Sequence, residues 1–272
     1  MISDSSSSWV SVTSGVPQGS VLGPVLFCIV IDRLTPACPN TKIIKYADDV
    51  VFLHFLRSNC DDNLHIEWKA LLKWSSVFSL PVNNNKCKVM DFITKRSLVL
   101  SPIPVSPGVF LPSVNSLSFL GVIVSNDFKW NLHFDGMLQK AVRRIFVLRN
   151  LRRSNCTVNL MWKVYESLIR SLFVYCCACF CNSPSYLCHQ LVSFERRVCR
   201  IINTDPEDHL SILCVLKSVC EKLYLNVMRS PNHPLRVMFQ ERNDSRTRSA
   251  SNFIVPRSRT KRFKNSFVKF CK

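Results

Sequence analysis

KYADDVVFL, residues 45–53, sets Asp48 and Asp49 side by side between apolar flanks. The longer stretch KIIKYADDVVFLHF (42–55) has the pattern of a strand, a tight turn and a second strand, which places both acids at a hairpin tip. Such a turn exposes the carboxylates, the apolar strands anchor them, and their oxygens suit a hard divalent cation such as Mg²⁺. Asp is also an ordinary turn residue, so the pair alone is weak evidence for a metal. About 30 residues upstream lies SGVPQGSVLGPVLF (14–27), with glycines at 15, 19 and 23 and the bifunctional amide of Gln18. Glycine lets a backbone approach a ligand closely. A Gly/Gln loop, an apolar helix and an acidic hairpin in this order form a far rarer combination than any one of them.

Bulk composition narrows the partner. With 272 residues and 47% hydrophobic content the chain can bury one large core or two smaller ones. Its net charge of +18 repels itself in a compact state unless a polyanion neutralises it, which points to nucleic acid, with an anionic membrane surface as the alternative. The start, MISDSSSSWVS, lacks the basic and apolar regions of a signal peptide. The apolar runs 21–31 and 171–181 are too short to span a bilayer. The expectation is an intracellular protein, nuclear or cytoplasmic, with its 14 cysteines reduced. CCACFC (176–181), with Cys188 and His189, invites zinc. The cysteines crowd one apolar segment instead of forming two separated pairs, so they are read as small hydrophobes and no zinc is expected.

Helices are expected around 22–34, 63–77, 137–153, 157–180, 185–202 and 208–228, a turn feeding a strand at 81–93, and a strand pair at 116–125. In the 137–153 helix Leu138, Val142, Ile145 and Leu148 share one face, while Lys140, Arg143, Arg144, Arg152 and Arg153 supply charge. Residues 229–272 hold 12 Lys/Arg against two acids, a local excess of +10. The fold class is α+β.

SGVPQGSVLGPVLF followed by YADD resembles the palm of a reverse transcriptase of the LINE-type (non-LTR) retrotransposons. VNNNKCKVM (82–90), FLGVIVSNDFKWNLHF (119–134), QKAVRRIFVLRNLRR (139–153) and FERRVCRIIN (194–203) resemble later segments of such proteins. The resemblance implies a partial palm with its primer-grip hairpin over 1–125, a helical thumb and connection over 126–228 and a basic C-terminal segment over 229–272. Asp48 and Asp49 match the paired metal-binding aspartates, and Tyr46 and Ala47 the residues beside the primer end and incoming nucleotide. Gly15, Pro17, Gln18, Gly19 and Ser20 match the loop against the template and nascent base pair. Lys86 matches a basic residue proposed to assist pyrophosphate departure, though a solvated lysine beside a turn explains it nearly as well. Leu120 and Gly121 match the primer-grip turn.

The implied reaction is RNA-directed DNA synthesis on an RNA template with a DNA primer and dNTPs. The primer 3′-hydroxyl attacks an α-phosphate, with two Mg²⁺, or Mn²⁺, stabilising the developing charge. Lys140, Arg143 and Arg144 would grip backbone phosphates. The family's third carboxylate lies upstream of the Gly/Gln loop, where residues 1–14 offer only Asp4. The expectation is therefore a truncated polymerase, inactive alone unless another chain supplies the missing palm and fingers, with an uncovered sheet edge and apolar surface. A non-catalytic nucleic-acid-binding remnant is the alternative. A membrane-surface role for the tail, with Phe253, Phe263, Phe267 and Phe270, is a third and is not favoured.

Overall fold

A computed structural model describes residues 8, 11, 15, 19–56, 62–92, 101–241, 253–254 and 267. Pro17, Gln18, Phe263, Phe270 and most of the basic tail lie outside the described residues. The chain divides into two units, Met1–Asn115 and Ser116–Lys272. Helices and small antiparallel sheets mix throughout, as an α+β class requires.

In the first unit α1 (Gly23–Asp32) opens on Pro24, whose fixed φ suits a first turn. Hairpin strands β1 (Thr41–Tyr46) and β2 (Asp49–His54) follow, then α2 (Leu64–Val77) and the short pair β3 (Pro104–Ser106) and β4 (Val109–Phe110). The hydrophobic core of this unit is thin, with Ile31, Leu34, Cys38, Trp68 and Ile103 as its buried members. A buried carboxylate helps hold it. Glu67 of α2 accepts from the Ala37 N–H (3.0 Å) and the Cys38 N–H (2.7 Å), pinning the α1–β1 connection to α2. Burial alone would raise its pKa. The two N–H donors and the Thr41 hydroxyl outweigh burial and hold it below the usual value.

Apolar surface stays open in this unit. Val21, Leu22, Val25, Leu26 and Ile29 are all exposed, Val21 at 90%. Among the described residues β1 and β2 pair only with each other, which leaves an unpaired edge on each strand.

The second unit has the large core. Strands β5 (Ser116–Phe119) and β6 (Val122–Ser125) form a hairpin packed on α3 (Asn131–Arg153). The next helical run begins as α4 (Val158–Val164), passes through a π-helical stretch (Tyr165–Arg170) and ends as α5 (Ser171–Val174). Helices α6 (Ser185–Ile202) and α7 (Ile212–Arg229) close the unit, followed by the short strands β7 (Gln240–Glu241) and β8 (Phe253–Ile254). Phe134, Ile145, Leu148, Tyr165, Ile169, Phe173, Leu191 and Ile202 are at most 1% exposed.

A charged knot crosses this core. Arg170 donates to Glu195 (2.9 Å), to the exposed Glu166 (3.1 Å) and to the Leu210 carbonyl (2.9 Å). Glu195 also accepts from the Tyr165 hydroxyl (3.2 Å) and the Ile212 N–H (2.7 Å). Every strong acceptor and donor in this knot therefore has a partner, apart from the Arg170 Nε. The helical run, α6 and the start of α7 are thus tied at one point.

Among the described cysteines Cys38, Cys177, Cys199 and Cys220 are buried, while Cys28, Cys179 and Cys214 are exposed. Cys177 and Cys220 are buried with their sulfurs 3.7 Å apart, and the neighbouring Cys220 thiol and burial push the Cys177 thiol pKa well up. Among the described residues no cluster of three or more His, Cys, Asp or Glu is placed to hold a metal ion. No described helix is long and apolar enough to cross a membrane.

Candidate active site and nucleic-acid interface

The acidic hairpin has the geometry its sequence implies. Strand register pairs Tyr46 with Asp49, so the connection is the two residues Ala47 and Asp48. Ala47 takes φ +49, a left-handed conformation that costs a residue with a Cβ roughly 1–2 kcal/mol. The tip is exposed at Tyr46, Ala47, Asp48 and Asp49. Neither the Asp48 nor the Asp49 carboxylate has a hydrogen bond or ion pair among the described residues. Two adjacent carboxylates left free and facing water fit a hard cation's demand for oxygen ligands.

Register places Tyr46 and Asp49 on the face that also carries Ile44, Val51 and Leu53. Tyr46 is 63% exposed and Ile44 45%, so Asp49 stands beside an open apolar and aromatic surface. The hairpin's base is closed by the Asn40 amide, which donates to the Phe55 carbonyl, and by the Phe55 N–H donating to Asn40. Lys45 fixes it to α1, donating to the Asp32 carbonyl at 3.1 Å.

The Gly/Gln loop is described only in part. Gly15 and Gly19 take φ +93 and +83 with open space where a Cβ would stand, so a closely approaching ligand is compatible with both. Ser20 acts locally, its hydroxyl accepting from the Gly23 N–H at 3.0 Å and helping to start α1. Lys86 sits in an exposed turn closed by its N–H to the Asn83 carbonyl. No hydrogen bond or ion pair among the described residues joins it to either aspartate.

A second group of candidate residues gathers in the other unit. Leu120 (φ +47) and Gly121 (φ +80) form the turn of the β5–β6 hairpin, both left-handed as a tight primed turn needs. The Tyr175 hydroxyl donates to the Leu120 carbonyl at 2.6 Å and braces this turn. Gly121, His133, Met137, Lys140, Ser171, Leu172 and Tyr175 line a cavity of about 200 Å³. Lys140 and Gly121 are thus brought to one place. Arg143 is exposed on α3. Arg144 is not a free cation, because its guanidinium donates to the Leu168 carbonyl in the π-helical stretch. Its structural bond competes with a role in gripping phosphate.

Sequence reasoning does not single out His133 or Tyr175. A lone histidine in WNLHF looks like core, and only folding shows that Tyr175, 55 positions beyond Leu120, returns to the hairpin turn.

Residues 1–124 match the family described as reverse transcriptase (RNA-dependent DNA polymerase). Among curated proteins, the chain is 30% identical over 178 residues to a Drosophila melanogaster protein named as the probable RNA-directed DNA polymerase from transposon BS. That alignment covers 60% of this chain and 19% of the relative. It is 24% identical over 205 residues, 71% of this chain and 22% of the relative, to the probable RNA-directed DNA polymerase from transposon X-element of the same organism. To the RNA-directed DNA polymerase from mobile element jockey of Drosophila funebris it is 26% identical over 175 residues, 58% of this chain and 18% of that one. The chain thus spans about a fifth of the length of the curated relatives it matches. No solved structure matches it.

Proposed function

Starting from a chain related to the reverse transcriptases of LINE-type (non-LTR) retrotransposons, we propose that it works on an RNA template and a DNA primer as part of an RNA-directed DNA polymerase. The observation that carries this reading is the hairpin tip, a two-residue turn that presents Asp48 and Asp49 unpaired and exposed. Asp48 and Asp49 would hold Mg²⁺, which when bound supplies Lewis-acid stabilisation of the charge developing on a transferred phosphoryl group. Tyr46, beside Asp49 on the open face, offers an aromatic ring to a sugar or base at the primer end. Ala47 keeps the turn free of bulk where the substrate strand approaches. Gly15, Pro17, Gln18, Gly19 and Ser20 would lie against the template, and Lys86 would face the leaving pyrophosphate. Leu120 and Gly121 would meet the primer strand, while Lys140 and Arg143 neutralise its phosphates.

Among the described residues no third acid joins the two aspartates. A further carboxylate would come from outside them, a second chain being one source. That observation favours a second reading, in which the chain holds duplex without reacting. Primer extension on an RNA–DNA template-primer with Mg²⁺ and dNTPs, alongside Asp48→Asn and a duplex-binding series in salt, separates the two. Extension that disappears in Asp48→Asn is expected for the polymerase, and binding without extension for the second reading. Neither extension nor binding would refute both.

A further inference from the structure

The cavity under the β5–β6 turn has features that packing does not explain. His133 forms part of its buried wall and is 3% exposed. Its Nδ1 accepts from the Ile123 N–H at 3.3 Å. Ile123 pairs with Ser118 one position beyond the pair that closes the turn, so its N–H points away from β5 and toward the histidine. With Nδ1 an acceptor, the neutral ring carries its proton on Nε2. Among the described residues that Nε2 has no hydrogen-bond partner, the ring otherwise packing at an angle against Phe180 and Trp130. Burial, and then the Lys140 charge, hold the imidazole below its ordinary pKa, which favours this neutral tautomer. A buried N–H donor without an acceptor costs about 1–3 kcal/mol.

The rest of the wall sets the chemistry of what would relieve it. Lys140, Ser171, Tyr175 and Gly121 are exposed at the rim, while His133 and Met137 are buried. The Ser171 and Tyr175 hydroxyls already donate to the Ser167 and Leu120 carbonyls. The donors left over are the His133 Nε2–H and the Lys140 ammonium. No carboxylate lines the cavity. Gly121 leaves the entrance open, since a Cβ there would come into contact with the Tyr175 ring at 3.4 Å. A buried neutral N–H beside a cation, with no acid nearby, suits an anionic oxygen.

We propose that this cavity is a phosphate subsite, in which the His133 Nε2–H and Lys140 hold one phosphodiester of the nucleic-acid strand lying across the Leu120–Gly121 turn. The assignment of the strand rests on the function proposed above; the anion chemistry does not. Inorganic phosphate offers the same oxygens without the strand.

Two titrations of the full-length chain test it. The first follows the His133 ring nitrogens in a long-range ¹H–¹⁵N spectrum as inorganic phosphate, then an RNA–DNA duplex, is added. Nε2 should shift with both ligands while Nδ1, held by Ile123, stays in place. The second measures duplex affinity across salt for wild type, Lys140→Gln, His133→Phe and His133→Gln. Lys140→Gln should lower the slope of log affinity against log salt by about 1. His133→Phe, which keeps ring volume without nitrogens, should weaken binding about tenfold, and His133→Gln, which can return an N–H, should recover most of it. If His133→Phe does not fold, the Nε2 shift and Lys140→Gln still decide. A duplex that binds without moving Nε2 overturns the subsite and leaves the proposed function standing. An Nε2 that answers phosphate in a chain that ignores duplex keeps the anion site and overturns its strand.

Discussion

Two glutamates share Arg170, and removing each should have very different effects. Glu195 and Arg170 are 9% and 7% exposed at their side chains, whereas Glu166 is 57% exposed. Glu195→Ala strands three donors at once: the Arg170 guanidinium, the Tyr165 hydroxyl and the Ile212 N–H at the start of α7. Breaking a buried pair from one side costs about 3–5 kcal/mol, because the remaining charge stays buried without its counterion. Glu166→Ala removes one exposed contact spaced i,i+4, worth about 0.3–0.5 kcal/mol. Urea unfolding of the full chain, followed by circular dichroism at the helix band, reads the difference. At a slope of about 2 kcal/mol/M, Glu195→Ala should lower the midpoint by about 2 M and Glu166→Ala by about 0.2 M. Arg170→Met combined with Glu195→Met should recover part of the loss, since an apolar pair of similar volume leaves no stranded charge while the Tyr165 hydroxyl and the Ile212 N–H still lack their acceptor. Equal midpoints for the two single variants would refute the reasoning. So would a double variant as unstable as Glu195→Ala.

Other perturbations separate structure from binding. Arg144→Met should cost about 1.5 kcal/mol through the lost bond to the Leu168 carbonyl, while Arg143→Met should leave the urea midpoint unchanged and lower the salt slope of duplex binding by about 1. Tyr175→Phe should lose about 1 kcal/mol by freeing the Leu120 carbonyl, with the loss absent if that turn is held by other means. Glu67 has a depressed folded-state pKa, so its stabilisation is present above the unfolded value of about 4.3. It should fade as pH falls through the folded value. Thermal melts of wild type and Glu67→Gln should therefore differ most at neutral pH and converge in acid.

Local pattern is enough for much of this fold. The acidic hairpin, α2 and the β5–β6 pair follow from alternation and turn residues, and the 185–202 helix coincides with α6. The start of α3 is not legible. Asp135 and Gly136 resemble a turn, yet the helix begins at Asn131, and Gly136 sits inside it where a Cβ would come within 3.2 Å of the Ile123 side chain. That glycine serves a close approach between helix and hairpin, which no local signal encodes. The 157–180 stretch likewise reads as one helix, because periodicity cannot show where a helix widens. Asp48 and Asp49 are legible because an unusual dipeptide stands in an unusual context. His133 is not, since its meaning lies in an unpartnered nitrogen that only packing defines.

For the gene, the π-helical stretch marks a place where length can change. Between α4 and α5 the chain winds with one residue more per hydrogen-bonded loop than an α-helix uses. In-frame loss of the codon for the exposed Ser167 would let an uninterrupted α-helix form. Because the wide turn holds one residue more for about the same rotation, the later side chains of the run would keep their faces. Phe173 would stay in the core, and Tyr175 would stay at the Leu120 carbonyl. A single-codon deletion there should therefore be tolerated far better than one in the middle of α3 or α6, where every later side chain would turn by about 100°.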